Sequence, residues 1–411
     1  MKPLRVFLLC VVAGVCDSAY LRQARLLTPS LVTGDATIAM PEAYRADLTF
    51  YAPLKSNLYP SFARGSNIAT YTRNSVASYL SPTTNLITYV VANQPRFEAN
   101  GYLSEGARTN SLKYSSSPTG AGWVLGQVSV TPFVDVSPDG TLTGAVVGAV
   151  ANSGSLYQPI TLANSADTGS IYIKRKTGTG AVYLAINGST ATGWNEVTAT
   201  SAYTRVTRTE TVLNPVFGIQ FQTAGDEVYI WGGQLEAGAF ASTFVPTTSS
   251  AVARAADLLY YIGASNNPAT ANHTVGFTGD VYSVAPPIYR SFIDTTGGLG
   301  ANGVNVYSDT STDTLLLSGC LRGGAFRNNG ISSYPITVNV PFNLYVANAP
   351  NDFEVFFNSL GIGKATGPMP VAVCNIYVGS YGATLNTFGH NKAYKIFSSR
   401  LAAWELAQIR Q

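Results

Sequence analysis

From Asp47 onward the chain is a series of short apolar runs separated by turn residues. The runs are rich in Val, Ile, Thr, Tyr and Phe, the composition of half-buried strands. Strands are predicted at Leu48 to Tyr51, Ala69 to Arg73 and Leu86 to Val91. In SIYIKRK, Ile171 and Ile173 alternate with Tyr172 and Lys174, which gives one buried and one wetter face. That run, the turn TGTG and the run AVYLAI together predict a hairpin. AYTRVTRTETV, VFGIQFQT and DEVYIWGGQL predict three more strands, and the same texture resumes at Leu258 and lasts to KAYKIF. Helical spacing is rare. Leu21, Ala24 and Arg25 start a short helix that Pro29 stops. At the tail Ser398 or Ser399 caps a helix whose stripe is Leu401, Trp404 or Glu405, and Ile409. Many short strands at this spacing point to sandwiches or jelly rolls.

Composition agrees with that reading. Charged residues are 11% of the chain, well under the usual share of about a quarter, and Gly and Tyr are abundant. Hydrophobic residues at 46% exclude a disordered chain. The net charge of +3 and the absence of a Lys/Arg run argue against nucleic-acid binding. Sparse charge also makes solubility depend on assembly into something larger. Cys10, Cys16, Cys320 and Cys374 show no metal-ligand spacing, and the histidines are His273 and His390. Cys320 and Cys374 are either two buried thiols, the favoured reading, or a pair.

The N-terminus has two readings. MKPLR followed by VFLLCVVAGVC looks like a secretory signal, with a basic start and an apolar core. The apolar run of 11 residues is too short to span a bilayer, which takes about 20. The other reading is a retained docking peptide made of Val6, Phe7, Leu8, Leu9, Val11 and Val12, followed by an extended arm to residue 46.

The most distinctive pattern is WGGQLEAGAFASTFVPTTSSAVARAAD. Its Trp231, Gly232, Gln234, Leu235, Glu236, Gly238, Phe244, Val245, Pro246, Thr247, Arg254, Ala255, Ala256 and Asp257 resemble a signature of bacteriophage virion proteins. A second block resembles the same family through Thr72, Arg73, Ser75, Ala77, Tyr79, Pro95, Arg96 and Phe97, then Gly101, Leu103, Glu105, Ala107, Arg108, Thr109 and Asn110. A third, looser block lies in Phe353 to Leu360, Gly379, Ser380, Phe388 to His390, Leu401, Glu405 and Leu406, with Ser359 and Leu360 standing where the family has glycine. The resemblance implies an all-β chain: an N-terminal anchor arm (1–46), a β-rich connecting segment (47–112), a jelly roll (113–256), and a concanavalin A-like sandwich (257–411) ending in a short helix. It implies a fibre, spike or decoration subunit located in the virion. Its expected partners are capsid, portal, collar or tail proteins, further copies of itself in a homotrimer, and host surface glycans. It also favours the docking peptide over the signal.

Chemistry is sparse. His390, in FGHNK, reads as a satisfied turn histidine, and His273 has no marked partner. No zinc cluster is present, and no metal or cofactor is expected. Glycoside hydrolysis needs two carboxylates roughly 5 to 10 Å apart. Asp294, Asp309, Asp313, Asp352 and Glu354 are candidates without a recognisable motif, and Asp309 with Asp313 is at best a calcium turn. GGLGANG lacks the Lys-Ser/Thr of a phosphate loop. Glu105 and Arg108 read as ties between their loop and the next domain rather than as a site. Sugar binding remains, with Tyr282, Tyr289, Phe292, Tyr307, Tyr381 and Asn386 as available aromatic and amide groups. The expectation is a non-enzymatic structural protein. The alternatives are a tailspike-type glycan depolymerase and a secreted lectin-like adhesin with a cleaved signal.

Overall fold

The structure is a computed structural model. It describes residues 45–409 except 46, 188–193, 265, 267–271, 283–289, 295–304, 309–313, 316–318, 323–324, 328–333, 366–374, 382–384 and 387. The docking peptide Val6, Phe7, Leu8, Leu9, Val11 and Val12 and the helix at Leu21 therefore lie outside the described residues, as do Cys374 and the calcium turn. The regular structure of the described residues is almost all strand, with one short helix, Ala403–Gln408.

Two five-stranded antiparallel sheets form the first sandwich. One runs Val128–Asp135, Gly144–Ala149, Glu227–Ala237, Ser165–Thr177, Thr204–Val212. The other runs Trp194–Val197, Val182–Ala185, Val216–Phe221, Ser155–Pro159, Val124–Gly126. Their inner faces enclose a core of Val147, Ile171, Ile173, Leu184, Phe217, Ile219 and Ile230. Face-to-face burial of alternate residues drives this pairing.

The hairpin expected across TGTG is not formed. Ser165–Thr177 pairs with Thr204–Val212 and Glu227–Ala237, whereas Val182–Ala185 pairs with Trp194–Val197 and Val216–Phe221. The turn carries the chain from one sheet to the other. Ile171 and Leu184 meet in one core from opposite sides, and alternation reports the buried face, not the pairing partner. Between the sheets there is no spare room at Gly169. A Cβ there would lie 2.5 Å from Ile186 Cγ2 and 2.7 Å from Phe217 Cδ2. Gly169→Ala is expected to cost about 1–3 kcal/mol by overpacking, read as a lower urea midpoint. An unchanged midpoint would mean the two sheets can move apart freely.

The second sandwich draws on both ends of the described chain. Its large sheet runs Phe62–Ala63, Leu48–Ala52, Gly389–Phe397, His273–Gly279, Phe342–Ala349, Asp352–Phe357, Leu360–Ala365, with Gly101–Ser104 also paired to Gly389–Phe397. The facing sheet runs Asn305–Ser308, Arg290–Asp294, Ile376–Val378, Leu258–Tyr261, Ala69–Thr72. Strands from the 47–112 stretch thus complete the sandwich begun at Leu258. The reason is burial: Phe50, Ala52 and Tyr102 share one core with Leu259, Val275, Leu344 and Ile396.

Two local features differ from expectation. The helix is capped at Ala402, whose N–H donates to Glu405 Oε2 at 2.8 Å. Ser399 instead bonds the Asp47 carboxylate. The Asn358-Ser359 turn replaces the usual glycine by placing both residues at positive φ, 47° and 69°. That is the two-residue hairpin geometry that asparagine tolerates, and Phe357 pairs with Leu360 across it.

Candidate functional site

The signature residues come from separate blocks of sequence and meet at one place. Arg96 stands just before the strand pair Phe97–Glu98 and Gly101–Ser104, and Glu105 just after it. Arg254 ends the strand Val252–Arg254, which pairs with Arg108–Asn110, and Asp257 begins the chain's return into the second sandwich. Arg73 follows the strand Ala69–Thr72. The side chains of Arg73, Arg96, Glu105, Arg254 and Asp257 are all 0% exposed.

Their contacts form one network. Arg96 Nη1 donates to Glu105 Oε2 at 2.6 Å, to Ser78 O at 2.9 Å and to Thr243 Oγ1 at 2.9 Å, while Nη2 pairs with Asp257 Oδ2. Arg254 Nη1 lies 2.9 Å from Glu105 Oε2. Arg73 Nη1 donates to Asp257 Oδ1 at 3.2 Å, and the Tyr71 hydroxyl donates to the same oxygen at 2.5 Å. Glu105 also accepts from the Thr243 N–H at 2.9 Å, from the Thr243 hydroxyl at 2.6 Å and from the Tyr282 hydroxyl. Burial alone would raise the Glu105 carboxyl. Arg254 and Arg96, with the bonds from Thr243 and Tyr282, override it and hold the group well below the usual carboxylate range. Burial likewise opposes the Arg96 charge, but Asp257 and Glu105 hold it firmly protonated.

A second buried set adjoins it. Glu236 accepts from Gln234 Nε2 at 2.6 Å and from the Ser242 N–H and hydroxyl, both at 2.7 Å. Gln234 Oε1 accepts the Val245 N–H at 2.6 Å. Asn110 donates to the carbonyls of Gly233 and Val245 at 3.1 and 2.8 Å. Arg108 Nε lies 3.4 Å from Glu236 Oε2, and its guanidinium sits over the rings of Phe240 and Phe388 at 4.9 and 4.8 Å. Gly238 must be glycine here, because its φ is +130° and a Cβ would lie 2.7 Å from Arg108 Nη2. Trp231 packs on Phe244 at 4.7 Å and on Tyr172 at 5.5 Å. Glu105 and Arg108 thus tie their loop to neighbouring segments, as the sequence suggested. That Arg73 and Arg96 join them had no signal in spacing.

The other candidates divide. His390 is the second residue of the strand Gly389–Phe397. Its Nδ1 lies 2.7 Å from Asp280 Oδ1 and its Nε2 lies 3.0 Å from Glu98 Oε2. Burial would lower this imidazole, but bonds to Asp280 and Glu98 push it up to about 9. His273 is buried, with Nε2 3.2 Å from Asn348 Nδ2. Asp352 and Glu354 share Arg400, each at 2.8 Å. Tyr282 sits against Phe240 and Phe388, and its hydroxyl donates to Glu105. Tyr289 lies outside the described residues, as do the side chains of Asp294, Phe292, Tyr307, Cys320, Tyr381 and Asn386. Among the described residues no group of His, Cys, Asp and Glu is placed to hold a metal ion, and no helix is long and apolar enough to cross a membrane.

No family model matches the chain, and no curated protein matches it. Solved structures with a likeness to the chain include carbohydrate-binding modules and a sialidase. Domain 4 of AbnA, a GH43 extracellular arabinanase from Geobacillus stearothermophilus, is 9% identical over 42% of this chain and 82% of that one, with a TM-score of 0.31. The CBM40 of the Ruminococcus gnavus IT-sialidase is 15% identical over 34% and 83%, with a TM-score of 0.28. A family 29 carbohydrate-binding module complexed with cellulohexaose is 16% identical over 33% and 92%, with a TM-score of 0.23. Likeness at this level says nothing of what this chain binds.

Proposed function

We propose that this chain is a non-enzymatic structural subunit of a bacteriophage virion: a fibre, spike or decoration protein held by its N-terminal segment. Its two sandwiches project outward and engage a host surface glycan. One observation carries the reading. The residues of the virion signature converge on a buried, fully enclosed charge network that fastens segments of both sandwiches to one another. Such a network fixes geometry and offers no group to a substrate. Asp352 and Glu354, two of the candidate carboxylates, are both held by Arg400.

The test is the mass and first residue of the chain in purified particles. The expected result is a particle-bound oligomer, with Met1 or Lys2 at its start. A free monomer that begins between Asp17 and Tyr20 would overturn the virion reading in favour of a secreted lectin. Removing residues 1–46 is expected to abolish particle attachment while leaving the thermal midpoint of the sandwiches unchanged. Retained attachment would remove the anchor from the proposal.

A further inference from the structure

The hairpin Ala77–Leu80 and Ile87–Val90 lies against the first sandwich. Ile87 packs with Trp231 and Phe244, and Ser78 Oγ donates to Phe244 O at 2.5 Å. Beside it runs an open groove with a volume of about 470 Å³, within the roughly 300–1,000 Å³ of ordinary ligand pockets. Its walls include Tyr79, Tyr172, Tyr203, Asn85, Glu98 and Arg205. None of these was singled out in the sequence as a sugar-binding residue.

Tyr79, Tyr172 and Tyr203 are each half-buried. Half-buried rings that border an open groove offer apolar surface to a pyranose. Glu98 is not a free acid, because Oε1 accepts the Leu80 N–H at 2.8 Å and Oε2 meets His390. It fixes the hairpin side of the groove.

Arg205 is different. Its Nη1 donates to Ser242 O at 2.7 Å and its Nη2 to Ser170 Oγ at 2.9 Å, which hold the guanidinium in place. Its Nε is buried without a hydrogen-bond partner among the described residues. The guanidinium carbon lies 5.6 Å from the centre of the Tyr172 ring. Arg96, Arg108, Arg175, Arg254 and Arg400 each have a carboxylate within 4.0 Å. Among the described residues Arg205 has none. A positioned guanidinium without a counter-charge, at the wall of an aromatic groove, is complementary to a carboxylate carried on a ring.

We infer that this groove binds an acidic saccharide, a uronic or sialic acid unit, with its carboxylate on Arg205 and its ring faces on the tyrosines. The inference deepens the glycan part of the proposed function and rests on it. It does not depend on attachment to a particle.

The test uses the full chain and calorimetric titration with galacturonate, glucuronate and sialic acid oligosaccharides. Methyl esters of the same oligosaccharides and neutral dextran oligosaccharides serve as comparison. One acidic series is expected to bind, with its methyl ester at least about tenfold weaker, the loss of one charge-assisted contact. Arg205→Gln is expected to weaken the acid by the same factor and to leave the ester unchanged. Tyr79→Ser is expected to weaken acid and ester alike. Arg205→Gln gives up the bonds to Ser242 O and Ser170 Oγ and is expected to lower the thermal midpoint while staying folded; Tyr79, on the hairpin, provides a test independent of those bonds. Equal binding of acid and ester, or no effect of Arg205→Gln in a folded variant, overturns the groove assignment and leaves general glycan binding standing. Binding of dextran alone does the same. No binding to any of these probes overturns both, while the particle experiment still decides the virion reading.

Discussion

Replacing Glu105 with alanine is expected to destabilise the chain by about 3–5 kcal/mol, the usual cost of removing one partner from a buried ion pair. The size follows from what is left behind. Arg96 and Arg254 both lie within 3 Å of Glu105 Oε2, and neither reaches water. Asp257 would remain alone against Arg73, Arg96 and Arg254. Thr243 would lose acceptors for both its N–H and its hydroxyl. The measurement is a urea melt followed by tryptophan fluorescence. A loss below about 1 kcal/mol, the range of exposed pairs, would mean that the network does not act as a unit. Double-mutant cycles between Glu105 and Arg254 should show coupling of about 0.5–3 kcal/mol, as contacting residues do.

Acid should act on the same network. The folded Glu105 carboxyl is held below its unfolded value. Its contribution is therefore complete above the ordinary unfolded carboxyl range near pH 4.3, and is lost progressively as pH falls below that range. Glu105→Gln, which is already neutral, should flatten this part of the acid limb. An acid limb identical to the parent's would remove Glu105 as its source.

The second large effect is at the alkaline side. His390 is pushed up to about 9 from an ordinary value of 6.5 by Asp280 and Glu98. Between these values the folded chain holds a proton that the unfolded chain has released, so stability must fall as pH rises. The contribution is full below pH 6.5 and gone once pH passes about 9. A shift of this size corresponds to about 3 kcal/mol at most, at about 1.4 kcal/mol per pH unit. The thermal midpoint is expected to decline from pH 6.5 to pH 9, and His390→Gln is expected to be less stable at pH 6 yet to show a flatter profile. A parent midpoint that stays level over this window would show that the imidazole is not charged in the folded state. The consequence extends to the groove, because Glu98 links His390 to the Leu80 N–H of the hairpin.

The local character of the chain was legible in its sequence. Alternation at Ile171 and Ile173, the β-branched runs, and the tail stripe of Leu401 and Ile409 follow from neighbours a few residues apart, and those patterns are fixed by side-chain periodicity alone. The structure accordingly has strands at Leu48–Ala52, Ala69–Thr72 and Ile87–Val90 and a helix at Ala403–Gln408. The signature residues were also visible as a set, and Glu105 with Arg108 read as a tie. Partnership was not visible. Ile173 and Leu184 look like hairpin neighbours, yet they belong to opposite sheets, because the same alternation serves either arrangement. Arg96 and Asp257 are 161 residues apart and share one buried bond, and Arg205 has no carboxylate beside it among the described residues because of where its strand lies. Which charges are neutralised, and which one is left facing a groove, depends on long-range packing that brings distant segments within hydrogen-bonding reach. Distances of that kind have no periodic signature in the chain, so only the tertiary structure decided them.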